Sequence, residues 1–477
     1  MTTEAPITRR SVGLRSERGP VLLAVMLGTA LVAIDSTILA TAVPSIVADV
    51  GGFTQFPWLF SVYLLAQAVT TPVYAKLADQ YGRKPLMLVG IGLFVLGSVL
   101  CGLAWGMVPL IVFRAVQGLG AGAVQPMGMT IVGDLYTVAE RAKVQGYLAS
   151  VWATSSVLGP TLGGVFSDYL TWRAIFWVNV PLGAVAAWFL LRGFTETVEH
   201  RERRVDYAGA GLLASGGILL LLGLLEGGVR WHWTSPTSLT IFAASALLLM
   251  AFGCVESRAA EPILPFWVFR SRVLGSAMLA SLAAGVLMLG LSSYVPLYAQ
   301  SVLGHGALVA GLALAALTLG WPIAASNAGR LYLGVGFRAT MAIGSSVALV
   351  GTLLLLTIGP DSSIWHVAAP CFVMGLGFGL VVSPSVIAAQ SSVDWSRRGV
   401  ATGTTMFARS VGSAVGVAVF GAVANAVVTS RLAATGGTPA LEDLTPGVLD
   451  PAIHAVFAVS AGVAVLLLVA AAAMREP

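Results

Sequence analysis

Apolar residues along this chain neither alternate as in a half-buried strand nor form the single stripe of a soluble helix. They come in blocks of about twenty, separated by short segments that hold most of the charges and many of the glycines and prolines. A helical block of that length crosses a bilayer core of about 30 Å. Fourteen are read, roughly at 21–43, 56–75, 86–105, 108–132, 143–166, 174–194, 207–226, 238–256, 273–294, 307–328, 339–358, 366–389, 400–425 and 453–473. An even number of crossings returns the chain to its starting side. The cations agree with that reading: of 26 Lys and Arg residues, only Arg173, Arg230 and Arg431 fall on the second side, and only Arg114 and Arg409 are embedded away from the block ends. The positive-inside rule then puts both termini, and a basic tail at 1–20, in the cytoplasm.

Composition excludes a soluble protein. The chain is 57% hydrophobic and 10% charged, against about 25% charged in soluble domains. Its formal charge of +5 belongs to the membrane-facing loops, so no nucleic-acid partner is expected. Cys101, Cys254 and Cys371 lie in or beside apolar segments without metal-ligand spacing and are read as packing residues. Ala40-Thr41-Ala42 mimics a signal-peptidase site, but Val21 to Val43 is too long for a signal core and contains Asp35, so the first helix is expected to stay uncleaved.

An ionisable group deep in a membrane helix costs at least about 2.5 to 3.5 kcal/mol and is functional by default. Of 21 acids only Asp35 lies well inside a block; Glu226 is at a block end, and His200, His232, His305, His366 and His454 are in loops or near ends. Asp35 is therefore the candidate proton carrier, or else a structural acid paired with a cation. Arg114 lies about 8 Å inside its block and Asp35 about 13 Å from Pro44, so the two sit at similar depth. Such a pair can exchange partners on protonation without a direct contact being required. Arg409 is either bonded to helix carbonyls or a substrate or counter-charge contact. Tyr63, Gln67, Gln117, Gln125, Met127, Trp152, Asn327 and Arg409 are candidates for lining a substrate cavity, although helix packing would account for any one of the uncharged members.

The densest charge falls in Ala75-Lys76-Leu77-Ala78-Asp79-Gln80-Tyr81-Gly82-Arg83-Lys84-Pro85. Gly82 suits a positive φ between antiparallel helices and Pro85 the start of the next; Asp79 is either solvated or paired. The stretch resembles the loop between helices 2 and 3 of the major facilitator superfamily, G-x-L-a-D-r-x-G-r-k, through Leu77, Asp79, Gly82, Arg83 and Lys84, with Ala75 in place of a Gly. The resemblance implies a latch of the outward-facing state, in which Asp79 and Arg83 meet Asp134. Ile34-Asp35-Ser36-Thr37, Ala42-Val43-Pro44 and Arg114, Gln117, Gly118, Gly120, Gly122 look like the helix-1 and helix-4 patterns of drug:proton antiporters. Gly159-Pro160-Thr161-Leu162-Gly163-Gly164 is similar to the helix-5 motif of exporters, and Trp172 to Gly183 to the signature of the fourteen-helix, EmrB/QacA-like family.

A weak repeat supports two halves. Gly329-Arg330-Leu331, Gly336 and Arg338 repeat the spacing of Ala75-Lys76-Leu77, Gly82 and Lys84, and Gly403, Gly416 and Gly421 that of Gly146, Gly159 and Gly164. The expected fold is an all-α integral membrane protein of the major facilitator type: a six-helix bundle at 21–194, a linker at 195–206 that only joins, two inserted helices at 207–256, a second linker at 257–272 and a second bundle at 273–477. The expected function is proton-coupled export of hydrophobic, cationic or neutral drugs by a monomer in the cytoplasmic (inner) membrane. Its partners would be protons, hydrophobic small molecules and membrane lipids, with no cofactor beyond the proton gradient, no metal and no enzymatic site. The alternatives are a lipid or siderophore exporter, a facilitative importer and a non-transporting receptor.

Overall fold

The computed structural model describes residues 13–136, 138–196, 206–259, 262, 264, 266–394, 398–435 and 445–476. The first half comprises α1 (Gly19–Val50), α2 (Pro57–Tyr81), α3 (Arg83–Gly102), α4 (Met107–Leu135), α5 (Val138–Tyr169), the single turn α6 (Ala174–Trp177) and α7 (Asn179–Gly193). A pair follows, α8 (Tyr207–Glu226) and α9 (Pro236–Glu256). The second half has a short α10 (Trp267–Arg270), then α11 (Arg272–Ser301), α12 (Ala307–Val335), α13 (Phe337–Leu355), α14 (Ile364–Ser391), α15 (Arg398–Thr435) and α16 (Pro446–Ala473).

Among the described residues twelve helical segments are long and apolar enough to cross a membrane, α6 and α7 counting as one. The two expected blocks outside that number are α2 and α5, which carry Lys76 and Asp79, and Glu140, Arg141 and Lys143, in their own sequence. Both stand at the seam between the halves, where a helix need not be apolar all round. The last helix begins at Pro446 rather than 453, which brings Asp450 and His454 into its first turns.

Helices alternate in direction, so one end of the bundle, here the terminal face, holds Gly19 and Ala473. There the turns are tight. Gly82 (φ 92°) and Gly336 (φ 86°) each end one helix and start the next directly, a conformation that favours Gly. The newly exposed amides are captured in the same way in both halves. Glu196 accepts from the Arg83 and Lys84 amides, both at 2.9 Å, and Glu476 from those of Phe337 (3.0 Å) and Arg338 (2.9 Å). A carboxylate there satisfies orphan donors and complements the helix dipole. The expectation that 195–206 only joins is thus corrected at Glu196.

The halves are tied at the opposite, far face. Gln300 Nε2 donates to Thr41 O (3.1 Å), the Ala307 and Leu308 amides to Asp168 (3.2 and 3.1 Å), Ser61 Oγ to Ala414 O (3.0 Å) and Asn425 Nδ2 to Thr54 O (2.9 Å). One apolar core runs through both halves there, from Ile34 to Val47 of α1 into α11, α14 and α16. A second, from Val21 through Met87 and Ile131 to Phe194, belongs to the first half nearer the terminal face and meets the second at Ala414 and Leu289. The α8–α9 hairpin straddles the seam from outside: Trp58 Nε1 donates to Glu226 Oε1 (3.1 Å), and Leu225 packs against Gly421. Glu226, expected only at a block end, is a buried anchor. Cys101 and Cys371 are buried as expected, but Cys254 is exposed.

Candidate functional site

Five helices of the first half converge on one buried polar cluster. Asp35 (α1) and Arg114 (α4) are each 1% exposed, and Arg114 NH1 lies 2.7 Å from Asp35 Oδ2. The sequence placed them at similar depth; the structure brings them into contact. The same nitrogen donates to Gln117 Oε1 (2.6 Å), and Arg114 Nε donates to Leu59 O of α2 (3.1 Å). The Tyr63 ring covers the guanidinium, centroid 4.2 Å from Cζ, a cation–π contact strengthened by the lack of competing water.

The other carboxylate oxygen is held from α4 and α7. Gln117 Nε2 donates to Asp35 Oδ1 (2.7 Å) and Asn179 Nδ2 to the same oxygen (3.1 Å); both amides also reach Ser98 Oγ of α3, at 2.8 and 3.2 Å. Ser98 gets that close because Gly97 lies against the Gln117 backbone, where a Cβ would stand 2.6 Å from its nitrogen. Every contact to Asp35 is from a donor, which suits the ionised carboxylate. Two polar atoms are left over: Asn179 Oδ1 and Tyr63 Oη are buried without a hydrogen-bond partner.

Gln117 and Tyr63, expected to line a cavity, are instead walls of this sealed cluster, 0% and 2% exposed. Met127 is also fully buried, in the first-half core. Gln67 does pair across α2 and α4 with Gln125 (Nε2 to Oε1, 3.2 Å), Gln125 and Trp152 being half-buried. Asn327 is corrected. It is exposed, its amide is spent on Ile323 O and Ser326 Oγ, and it stands roughly 160° around α12 from Gly311, the residue packed on Pro160. Arg409 stands apart from Asp35, partly exposed on α15.

Of the expected latch, Arg83 Nε lies 3.2 Å from Asp134 Oδ2 and its NH1 3.6 Å from Glu196 Oε1. Lys84 Nζ donates to Leu191 O and Phe194 O at the end of α7. The Asp79 side chain lies outside the described residues. The glycine run of α5 sits on the seam. Thr41 Oγ1 reaches Pro160 O (3.4 Å), Gly159 and Gly163 lie against Thr37 and Thr41, and a Cβ on Gly164 would collide with the Leu308 backbone of α12.

The sequence reading missed Ser98, Asn179 and Glu196, and a second polar group in α16. Tyr298 Oη donates to Asp450 Oδ1 (2.9 Å), and His454 has Nδ1 at the Asp450 carbonyl (2.9 Å) and Nε2 at Ile358 O (2.7 Å). The Asp450–His454 spacing of one helical turn was a signal for it.

A multi-pass helical bundle in two halves, joined at one face and holding a sealed carboxylate–guanidinium pair, has the architecture of a membrane transporter. Residues 25–417 match the family model described as Major Facilitator Superfamily, and the chain belongs to that superfamily. It is 37% identical over 415 residues to Multidrug resistance protein 3 of Bacillus subtilis (strain 168), spanning 86% of this chain and 80% of the relative. With Multidrug transporter protein MdtP of the same organism it shares 34% over 414 residues, spanning 87% and 76%. Among solved structures, that of an auto-inhibited POT family peptide transporter superposes with a TM-score of 0.71 at 17% identity, over 97% of this chain and 98% of that chain; it shares the fold.

Proposed function

We propose that this protein is a proton-coupled exporter of hydrophobic compounds, cationic or neutral, working by alternating access in the cytoplasmic membrane. The observation that carries the reading is the Asp35–Arg114 pair, buried, clamped and built on the helix that also holds the seam. Thr41, whose carbonyl receives Gln300 of the second half, is six residues from Asp35, about 9 Å along α1. Protonation of Asp35 removes the charge that holds Arg114 and loosens α1 against α4, and α1 passes that change to the seam. The names of the multidrug relatives support a drug as cargo.

In this reading α2 and α5 also span the membrane, giving fourteen crossings of the EmrB/QacA-like type, with 21–194 and 273–477 as the moving halves. The protein acts as a monomer, needs no cofactor beyond the proton gradient and carries out no enzymatic reaction. In this reading, which the distribution of cations supports, the terminal face is cytoplasmic, the seam closes the outer side and the arrangement is inward-facing. Arg83, Lys84, Gly82, Asp79 and Asp134 form the latch that closes the cytoplasmic side in the opposite state.

The test is efflux of a lipophilic cationic dye from proteoliposomes under an imposed pH gradient, wild type against Asp35→Asn. Gradient-driven efflux lost in the variant is expected. Full proton-driven efflux in Asp35→Asn would sink the coupling role.

A further inference from the structure

Arg409 differs from Arg114 in one respect: among the described residues its side chain has no partner. Arg114 has three acceptors and an aromatic ring, whereas among the described residues no hydrogen bond or ion pair engages the Arg409 side chain. It lies eleven residues beyond Arg398, about 17 Å along α15, far from either end of the helix. A cation at that depth faces a wet cavity or a partner, and Arg409 is partly exposed.

Arg409 lies on the face of α15 that packs on α11: its carbonyl oxygen stands against Gly285, Ser413 Oγ reaches Gly285 O (3.2 Å), Gly412 lies on Leu282 and Gly416 on Val286. Roughly 60° around the helix stands the exposed Met406, and beyond it, toward the far face, the surface that Ser61 of α2 touches at Ala414. Because α2 and α15 run antiparallel from that contact, Gln67, six residues on, is level with Arg409 to within about one turn. The Gln67–Gln125 pair therefore stands at the same depth in the opposite half.

The charge balance adds to this. Apart from the Asp450–His454 pair near the start of α16, the charges well inside the described helices are Asp35, Arg114 and Arg409. The first two cancel in their sealed contact, which leaves the interior with one net positive charge, on Arg409. An electropositive, partly dry cleft concentrates anions, and a guanidinium matches a carboxylate in two-point geometry.

We propose that Arg409 is the seat for an oxyanion carried on an apolar body, a hydrophobic carboxylic acid, so that the range of compounds extends to acids as well as neutral and cationic ones. As a substrate class this rests on the export reading; as a binding site it does not. The probe is dansyl-tagged undecanoate, with its methyl ester as the uncharged match. Binding to the full-length protein is measured in phosphatidylcholine nanodiscs for wild type, Arg409→Gln and Arg409→Lys, with thermal unfolding followed on each.

Wild type should prefer acid over ester by roughly tenfold, the scale of one charge-assisted contact. The preference should vanish in Arg409→Gln and return in part in Arg409→Lys. Equal binding of acid and ester by wild type, or a preference that survives Arg409→Gln, overturns the proposal. So does a loss of acid and ester alike in the Gln variant, which marks a structural role. If phosphatidylglycerol in the nanodisc displaces the acid, the seat belongs to a lipid headgroup and the substrate class falls. An acid preference without gradient-driven flux of any probe keeps the seat and removes the export reading.

Discussion

Asn179 donates to Asp35 Oδ1 at 3.1 Å while its own Oδ1 stays buried without a partner. A side-chain amide that turns about its last bond exchanges donor for acceptor. Asn179 is thus equipped to serve both forms of Asp35, donating a hydrogen bond to the carboxylate oxygen now and accepting one from the carboxylic acid after a flip. Asn179→Leu keeps the Asp35–Arg114 contact but removes that service. Proton-driven dye efflux should fall tenfold or more, as for loss of one strong hydrogen bond to a charged group, with equilibrium dye binding within about twofold of wild type. Equal losses in both would make Asn179 a packing residue.

The buried pair makes a separate prediction about stability. Removing one partner leaves an uncompensated charge, at a cost of about 3 to 5 kcal/mol. Arg114→Ala and Asp35→Asn should therefore each lower the unfolding temperature, the first leaving Asp35 and the second leaving Arg114 as a buried charge without its partner. Adding Asp35→Asn to Arg114→Ala should recover part of the loss. Additive losses in the double variant would show that the two residues do not act as a pair.

At the seam, Gly164 gives α5 room against the Leu308 backbone. A large side chain there cannot be absorbed by a rotamer change in its neighbour, since the obstacle is main chain. Gly164→Leu should force the far face apart and shift the population toward the state open on that side, read as a lengthened distance between spin labels placed on α5 and α12. An unchanged distance distribution would remove the gate from this site.

Glu196 accepts from both amides at the start of α3 and pairs with Arg83. Losing a helix cap costs about 1 kcal/mol. Glu196→Ala should therefore speed hydrogen exchange at the Arg83 and Lys84 amides by about fivefold, by ordinary Boltzmann weighting. Glu196→Gln should lie between the two. No acceleration in Glu196→Ala would mean that the turn is held from elsewhere.

How much of this could be read from the sequence depends on range. Twelve of the fourteen expected spans and the burial of Asp35 were legible because the bilayer imposes a length rule on local sequence and makes an embedded acid stand out. Arg114 was legible by depth, but its direct contact with Asp35 was not, since rotation of one helix against another is a matter of packing. Ser98 was invisible for that reason, a serine in an apolar run having no mark until its neighbours are known; Asn179 fell inside the Trp172 to Gly183 signature, which gave it no partner. Glu196 was passed over because a lone acid in a polar linker looks solvated. Gln117 and Tyr63 were placed in a cavity because a polar or aromatic side chain near mid-helix looks alike whether it faces an opening or a buried carboxylate.

The matching captures at Gly82 and Gly336 have a mechanical consequence. Each glutamate fastens a turn of its own half, and neither spans the gap. The stroke that exchanges one open face for the other need not undo them. Each half carries its own brace, as a hinged door carries its own frame rails. A chain severed within 197–205 and expressed as two pieces should then yield two halves that each keep their internal turn and reassemble along the far-face seam.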